Sequence, residues 1–569
     1  MFENFPKTVD EPKQWAWSDW QPYFDHLQDT DLSADTIDTW LENWSTVGSM
    51  FSEVFSRLHV AKDIDTTDEA AEKAYMRFVG EIYPEVQRVN FQIQKKLVAS
   101  GLEPASLKIP MRNIKTDVEI FCEDNVPLSV QENDIANRYN KILGAQTVTW
   151  EGEEITLTQL GKVMQDTDRD KREKAFRLAN ERRAQDFEEL NAIWREYMDL
   201  RKQISQNASF DNFRSYTWKD LNRHDYSPEQ ALQFVDAIEQ VVVPAAERMA
   251  ERRRVKMGLD KLAPWDVAVD EQGREPLVPY ETMDEFLSKS VSVFQQVDPE
   301  LGAQFKMMID EKLLDLDNRK GKAPGGYCTG FLVTKRPFIF MNSVGLDGDV
   351  RTLLHEVGHA LHGFASYNLP LMQQQRAPME FNEVASMAME LLASPYLTED
   401  KGGYFSEADA SRFRADHLKG IIDFWPYMAV VVAFQHWIYT NHDLATDPLE
   451  CDKKWLELWG RFMKNADYSG HEEFIKNRWR RQIHIYRRPF YYVEYGLAQL
   501  GAVQVWAKAL QDQQSALDDY RSALALGGTV TLPELYQAAG VKLAFDAETL
   551  QEAVNLLEST IDDLEALAH

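Results

Sequence analysis

The stretch LLHEVGHALH, residues 353–362, holds three of the chain's twelve histidines beside one glutamate in an otherwise apolar run. It restricts the fold more than any other segment. His355 and His359 stand four residues apart, so on a helix their rings project from one face, one turn above the other. Leu353, Leu354, Val357, Ala360 and Leu361 make that helix a buried one. Two stacked imidazoles can share one divalent ion, and zinc suits nitrogen and oxygen ligands in tetrahedral geometry. Glu356 then points beside the metal and can take a proton from a water held there, which is the mechanical content of H-E-x-x-H. A structural helix with incidental histidines is the plain alternative.

A catalytic zinc takes three protein ligands and keeps one position open. The next helical run, PMEFNEVASMAMELLASPYL (378–397), offers Glu380, Glu383 and Glu390 around a stripe of Phe381, Val384, Met387, Ala388 and Leu391. Glu383 and Glu390 are two turns apart on nearly one face, and a buried carboxylate requires a partner. Glu383 is the expected third ligand. Glu390 is expected behind it, orienting a ligand histidine, with a solvated helix edge as the alternative. His362 belongs to the packed surround. His26, His59, His224, His417, His436, His442, His471 and His569 show no ligand spacing and receive no role.

The rest of the chain reads as mainly α. Helices are expected over Asp68 to Ser100, over Asp168 to Asn207, and over 231–257 with an interruption at Pro244. A last amphipathic helix is expected over Asp546 to Leu567. Two hairpins stand out: TVTWEGEEITLT (147–158), turning at Glu151-Gly152, and CTGFLVTKRPFIFMN (328–342), turning at Lys335-Arg336-Pro337. Loops rich in Gly, Pro and Asp cover 258–280 and 317–330. The working division is an N-terminal helical region, 1–215, and a catalytic region, 216–569. The second hairpin lies just before the histidine cluster. Its edge could pair with an extended peptide, and Gly325, Gly326 and Gly330 would admit a close backbone.

Bulk properties exclude several classes. A formal net charge of −30 leaves no broad basic surface for nucleic acid. The most apolar stretch, 424–434, is shorter than the roughly 20 residues of a membrane helix, and the N-terminus lacks a signal-peptide pattern. Neither nucleic acid nor membrane is an expected partner. Three widely spaced cysteines form neither a disulfide framework nor a zinc knuckle, which fits a reducing cytoplasm. Cys328, beside the hairpin edge, reads as a small buried filler, with a regulatory thiol as the alternative.

HEVGHALH followed by NEVASMAME resembles the thimet oligopeptidase and oligoendopeptidase F family of zinc metallopeptidases, on its oligoendopeptidase F-like branch. Gly358 matches the family's H-E-x-G-H, and Glu383 with Ser386 its E-x-x-S segment. KAPGGYCTG (322–330) and HIYRRPFYYVEYGLAQLGA (484–502) match two further stretches. The likeness is traceable from about residue 110 onward. It implies a zincin-like, mostly helical protein whose two halves enclose a deep channel for short unstructured peptides. It also implies one zinc per chain, held by His355, His359 and Glu383, with Glu356 as general base. His484 with Tyr491 and Tyr495 would then act on the oxyanion, as neutral donors can. Tyr491 and Tyr495 share a helix face, whereas Tyr492 points elsewhere; Arg487 and Arg488 read as surface charges. The expected activity is endopeptidase cleavage of oligopeptides. Its rivals are a zinc carboxypeptidase or dipeptidyl carboxypeptidase, and a non-catalytic peptide binder with structural zinc. Oligomeric state is not fixed by the sequence.

Overall fold

The histidine run folds as the middle of a helix, Asp347–Ser366, set against a small sheet and a second helix, Met379–Ala393, in a computed structural model that describes residues 1–568. His569 lies outside the described residues. Helices account for most of the chain, and the strands form two small sheets. The first sheet is the expected hairpin, β1 (Thr147–Trp150) against β2 (Glu153–Thr156), with Glu151 and Gly152 both at positive φ in the turn.

The second sheet has three strands, β3 (Leu314–Asp317), β4 (Tyr327–Phe331) and β5 (Arg336–Ser343), in the order β3-β5-β4. β4 and β5 pair antiparallel as the expected hairpin, with Phe331 opposite Arg336. The turn therefore lies at 332–335, and Arg336 and Pro337, read from sequence as part of the turn, already belong to β5. β3, which LDLD does not announce by hydrophobic alternation, pairs parallel to β5. This leaves β4 as an edge strand.

Three helix expectations need correction. The segment 68–100 is helical throughout, but residues Phe78–Ile82 form a π-turn between Glu69–Arg77 and Tyr83–Ala99. Pro84 has no N–H to return to the Gly80 carbonyl, and a widened turn accommodates the loss. The segment 168–207 is two helices, Arg169–Ala184 and Phe187–Asn207. At the break the Asp186 carboxylate accepts from Gln146 and Arg182, both at 2.8 Å. Conversely, Pro228–Lys256 runs unbroken through Pro244, whose neighbours Val241–Val243, Ala245 and Ala246 are all buried. Tertiary packing there outweighs one missing backbone bond. The apolar run at 424–434 sits within a helix of 34 residues, Glu407–Thr440, long enough to span a bilayer; 72% of its apolar window is buried inside the protein.

Buried apolar side chains gather into two main cores. A smaller one draws on the first 114 residues plus Leu371; the larger extends from Val60 to Leu564. The halves are thus unequal, a lobe and a main body. The lobe helix Ile37–Ile64 is fastened to the β4–β5 turn: buried Glu53 accepts from the backbone N–H of Val333 (2.7 Å) and Thr334 (2.9 Å). Farther along, the Asp63 carbonyl accepts from Ala323 N–H at 2.8 Å.

Candidate metal centre

The histidine helix is fixed at its start. Asp349 accepts from the backbone N–H groups of Val344, Gly345 and Leu346, and from Tyr280 Oη at 2.6 Å. These bonds satisfy donors at the entry to the helix and aim its next two turns. At mid-length Gly358 lets the glutamate helix approach: a Cβ there would lie 2.6 Å from the Ala385 carbonyl oxygen and 2.6 Å from Ser386 Cα. Only glycine permits that spacing, so Gly358 sets how near Glu383 comes to the imidazoles.

The approach brings three donors together. His355 Nε2 lies 3.5 Å from Glu383 Oε2, and His359 Nε2 lies 3.8 Å from the same oxygen. Donor atoms of His355, His359 and Glu383 all fall within 4.8 Å of one another. Ligands about 2.1 Å from a tetrahedral ion stand about 3.4 Å apart, so the set fits one zinc with little adjustment. Ser386 Oγ donates to Glu383 Oε2 at 3.2 Å and steadies it.

Glu390 lies where the sequence placed it, and its alternative as a solvated edge is excluded by its burial. Its Oε1 faces His355 Nδ1 at 2.8 Å, which leaves Nε2 of that ring for the ion. Its Oε2 lies 3.0 Å from His417 Nε2. His417, given no role from sequence, is therefore part of the centre: it comes from the Glu407–Thr440 helix and holds the carboxylate that holds His355. No spacing rule reaches across those 27 residues. Glu380 turns away and accepts from Tyr226 Oη at 2.6 Å.

Burial and charge act on these groups in opposite senses. Burial disfavours charge on His355, but the hydrogen bond and charge of Glu390, aided by Glu383 and Glu356, prevail and raise its pKa to about 9. Burial would raise Glu390, yet its bonds to His355 and His417 hold it down at about 2. His359 is depressed to about 3 by burial and by the neighbouring His355. Glu356 is lifted to about 7 by burial and by the charges of Glu383 and Glu390, against the pull of His355 and a backbone hydrogen bond from Cys328. Burial foremost also raises Glu383. A carboxyl poised near neutrality beside three prospective ligands suits proton transfer.

These groups open onto a cavity of about 600 Å³, lined by His355, Glu356, His359, Glu383, Tyr491 and Tyr495, with Tyr327 to Gly330 of β4 in its wall and Ser52 and Ser56 of the lobe beside them, Ser56 Oγ lying 3.2 Å from Thr329 Oγ1. The free edge of β4 thus faces the centre. Gly330 makes room for Tyr367, whose Oη would lie 2.7 Å from a Cβ. Cys328 is a half-buried thiol on this wall, not an enclosed filler, and burial beside Glu356 pushes its pKa up.

Tyr491 caps the helix Tyr492–Ala509 and Tyr495 lies in its first turn, and their rings meet edge to face at 5.2 Å. Burial leads the rise in both phenols, with Tyr495 pushed up to about 12, so both remain neutral donors at working pH. His484 is not among the residues lining the cavity. It stands behind them, 6.0 Å from each of those two rings and 4.7 Å from Tyr492, and its Nδ1 meets Gln482 Nε2 at 2.8 Å. Tyr492 therefore turns toward the histidine, not toward the cavity. Burial, then Arg488, lowers His484 to about 4. Arg487 and Arg488 are exposed. The segment is anchored from below by buried Arg223, which donates to the Phe490 carbonyl at 2.6 Å and pairs with Glu494.

Two antiparallel-packed helices presenting His, His and Glu to one point, with a second Glu beside it, define a helical protein with a metallopeptidase-like centre. The chain belongs to peptidase family M3: that family's model matches residues 162–555, and the M3 N-terminal domain matches residues 18–121. Among curated relatives it is 23% identical to oligopeptidase PepF of Bacillus subtilis (strain 168), over 57% of this chain and 47% of that protein. It is 24% identical to group B oligopeptidase PepB of Streptococcus agalactiae, over 79% and 76%. The chain spans about half the length of the curated relatives it matches first. It superposes on the solved structure of PZ peptidase A with inhibitor 2 at a TM-score of 0.86, with 28% identity, covering 99% of each chain. Oligoendopeptidase-F from Enterococcus faecium shares the fold at a TM-score of 0.64 and 16% identity.

Proposed function

We propose that this protein is a zinc-dependent endopeptidase of short, unstructured oligopeptides. One observation carries the reading: the Nε2 atoms of His355 and His359 converge on one Glu383 oxygen at 3.5 and 3.8 Å, while Glu390 occupies the other nitrogen of His355. When bound, one zinc per chain would supply Lewis-acid polarisation and make water acidic near neutral pH. Glu356, poised by its buried setting, accepts the proton of the attacking water and delivers it to the leaving amine. Tyr491 and Tyr495 donate their hydroxyls to the carbonyl oxygen as it gains charge. His484 steadies those two rings from behind. The β4 edge holds the peptide main chain, which gives affinity without strong side-chain selection. Oligopeptidase names among the relatives support the substrate class. The three free cysteines favour a reducing, cytoplasmic setting. The division into 1–215 and 216–569 remains a working one, to be checked by limited proteolysis.

The test is mass spectrometry of a peptide mixture after incubation, with and without a zinc chelator. Internal cleavage of blocked peptide amides, abolished by chelation and restored by zinc, is expected. Cleavage confined to free C-terminal acids would turn the reading to a carboxypeptidase. Peptide binding without any cleavage by zinc-replete protein would leave a binding role.

A further inference from the structure

A second cavity, of about 540 Å³, lies in the lobe and shares Ser52, Ser56, Met372 and Arg376 with the catalytic one. The two cavities therefore adjoin, with these four residues in the walls of both. Trp44, Phe51, Phe55 and Tyr83 supply aromatic walls to the second part, while Asn90 and Asp117 supply polar ones. Phe51 and Phe55 come from the lobe helix and meet Tyr83, from the following helix, at 5.9 and 5.7 Å. Trp44 is pinned by its Nε1–H bond to Asn90 Oδ1 at 2.9 Å, and Asp117 accepts from Gln94 at 3.0 Å. Trp44 is buried at the back of the pocket, whereas Phe51 and Phe55 are half-buried and Tyr83 is 36% exposed, so these three rings present a free face. A preformed pocket of this size, with a cluster of aromatic rings on one part of its wall and fixed polar groups on the rest, has the make-up of a ligand site.

We propose that this pocket receives an aromatic side chain of the bound peptide and so sets substrate choice, an inference that rests on the peptidase reading above. The walls shared with the catalytic cavity argue for the same ligand in both. None of the four aromatic residues lines the cavity that holds Glu356, so the occupant is not a residue flanking the cleaved bond but one farther along the peptide. Edge-to-face contacts with three fixed rings favour an aromatic guest over an aliphatic one.

The experiment uses blocked decapeptides of alanine and glycine in which one phenylalanine is moved stepwise along the sequence. For the full-length zinc protein, kcat/KM should rise at least about tenfold when phenylalanine sits at one position two or more residues from the cut, or the cut should move to keep that distance. Phe55→Ala, which removes a wall, and Gln87→Trp, which fills the pocket from an exposed rim position, should both bring the phenylalanine-to-alanine ratio to within about threefold. No positional preference in the wild type, or a preference surviving both variants, would overturn the proposal. Binding of the same peptides to Glu356→Gln protein separates this inference from the peptidase reading. Phenylalanine-selective binding without wild-type turnover would support the pocket and sink the peptidase; equal binding of all peptides would sink the pocket.

Discussion

Glu390→Gln isolates what the buried carboxylate does for the metal. The substitution keeps an acceptor 2.8 Å from His355 Nδ1 and removes the charge. In the metal-free protein that charge keeps His355 protonated up to about pH 9. An ion must displace this proton, so apparent zinc affinity should rise about tenfold per pH unit from 7 to 9, and should sit about 100-fold below its limit at pH 7. In the variant burial is opposed only by the charges of Glu383 and Glu356, the largest support for the imidazolium is gone, the pKa falls, and this competition is largely relieved. The variant also loses the support that a charged partner gives a ligand imidazole, about 10- to 100-fold in affinity. Near pH 7 the two effects should nearly cancel. At pH 9 only the loss remains, and the variant should bind about 10- to 100-fold more weakly. The assay is competition with a chromophoric chelator at pH 7, 8 and 9, with calorimetry in two buffers to count protons. About one proton should leave His355 per ion at pH 7 in the wild type, and that proton should be missing in the variant. An equal proton count in both proteins, or parallel pH profiles, would refute the reasoning.

Other perturbations give distinct signatures. Glu356→Gln should retain zinc, checked by metal analysis, while turnover falls at least about 100-fold; substantial residual hydrolysis would place the base elsewhere. Tyr495→Phe should lower kcat about 100-fold with little change in KM, since a donor to the developing oxyanion acts in the transition state. A raised KM with kcat intact would make it a ground-state binder. Gly358→Ala should destabilise the fold by about 1–3 kcal/mol or more, because its methyl would strike backbone of the glutamate helix at 2.6 Å. Thermal melting checks this, and an unchanged Tm would show that the two helices can part without cost.

Local pattern made the core of the centre legible. His355, Glu356 and His359 follow from one helix's periodicity, and Glu383 and Glu390 from the need of buried carboxylates for partners. What escaped lies in long-range placement. His417 meets Glu390 only because two helices cross, and Arg223 reaches Phe490 across 267 residues. β3 escaped because a parallel strand of four residues carries too little pattern. Pro244 misled because burial on both sides of its helix overrides a local rule. The position of His484 behind the tyrosines depends on its turn, which no spacing specifies.

Anomalous diffraction at the zinc edge from crystals grown with zinc addresses the centre itself. A single peak is predicted about 2.0–2.2 Å from His355 Nε2, His359 Nε2 and a Glu383 oxygen, with His355 Nδ1 still bonded to Glu390. A peak that lacks Glu383, or an ion lodged elsewhere with these three side chains apart, would contradict the account.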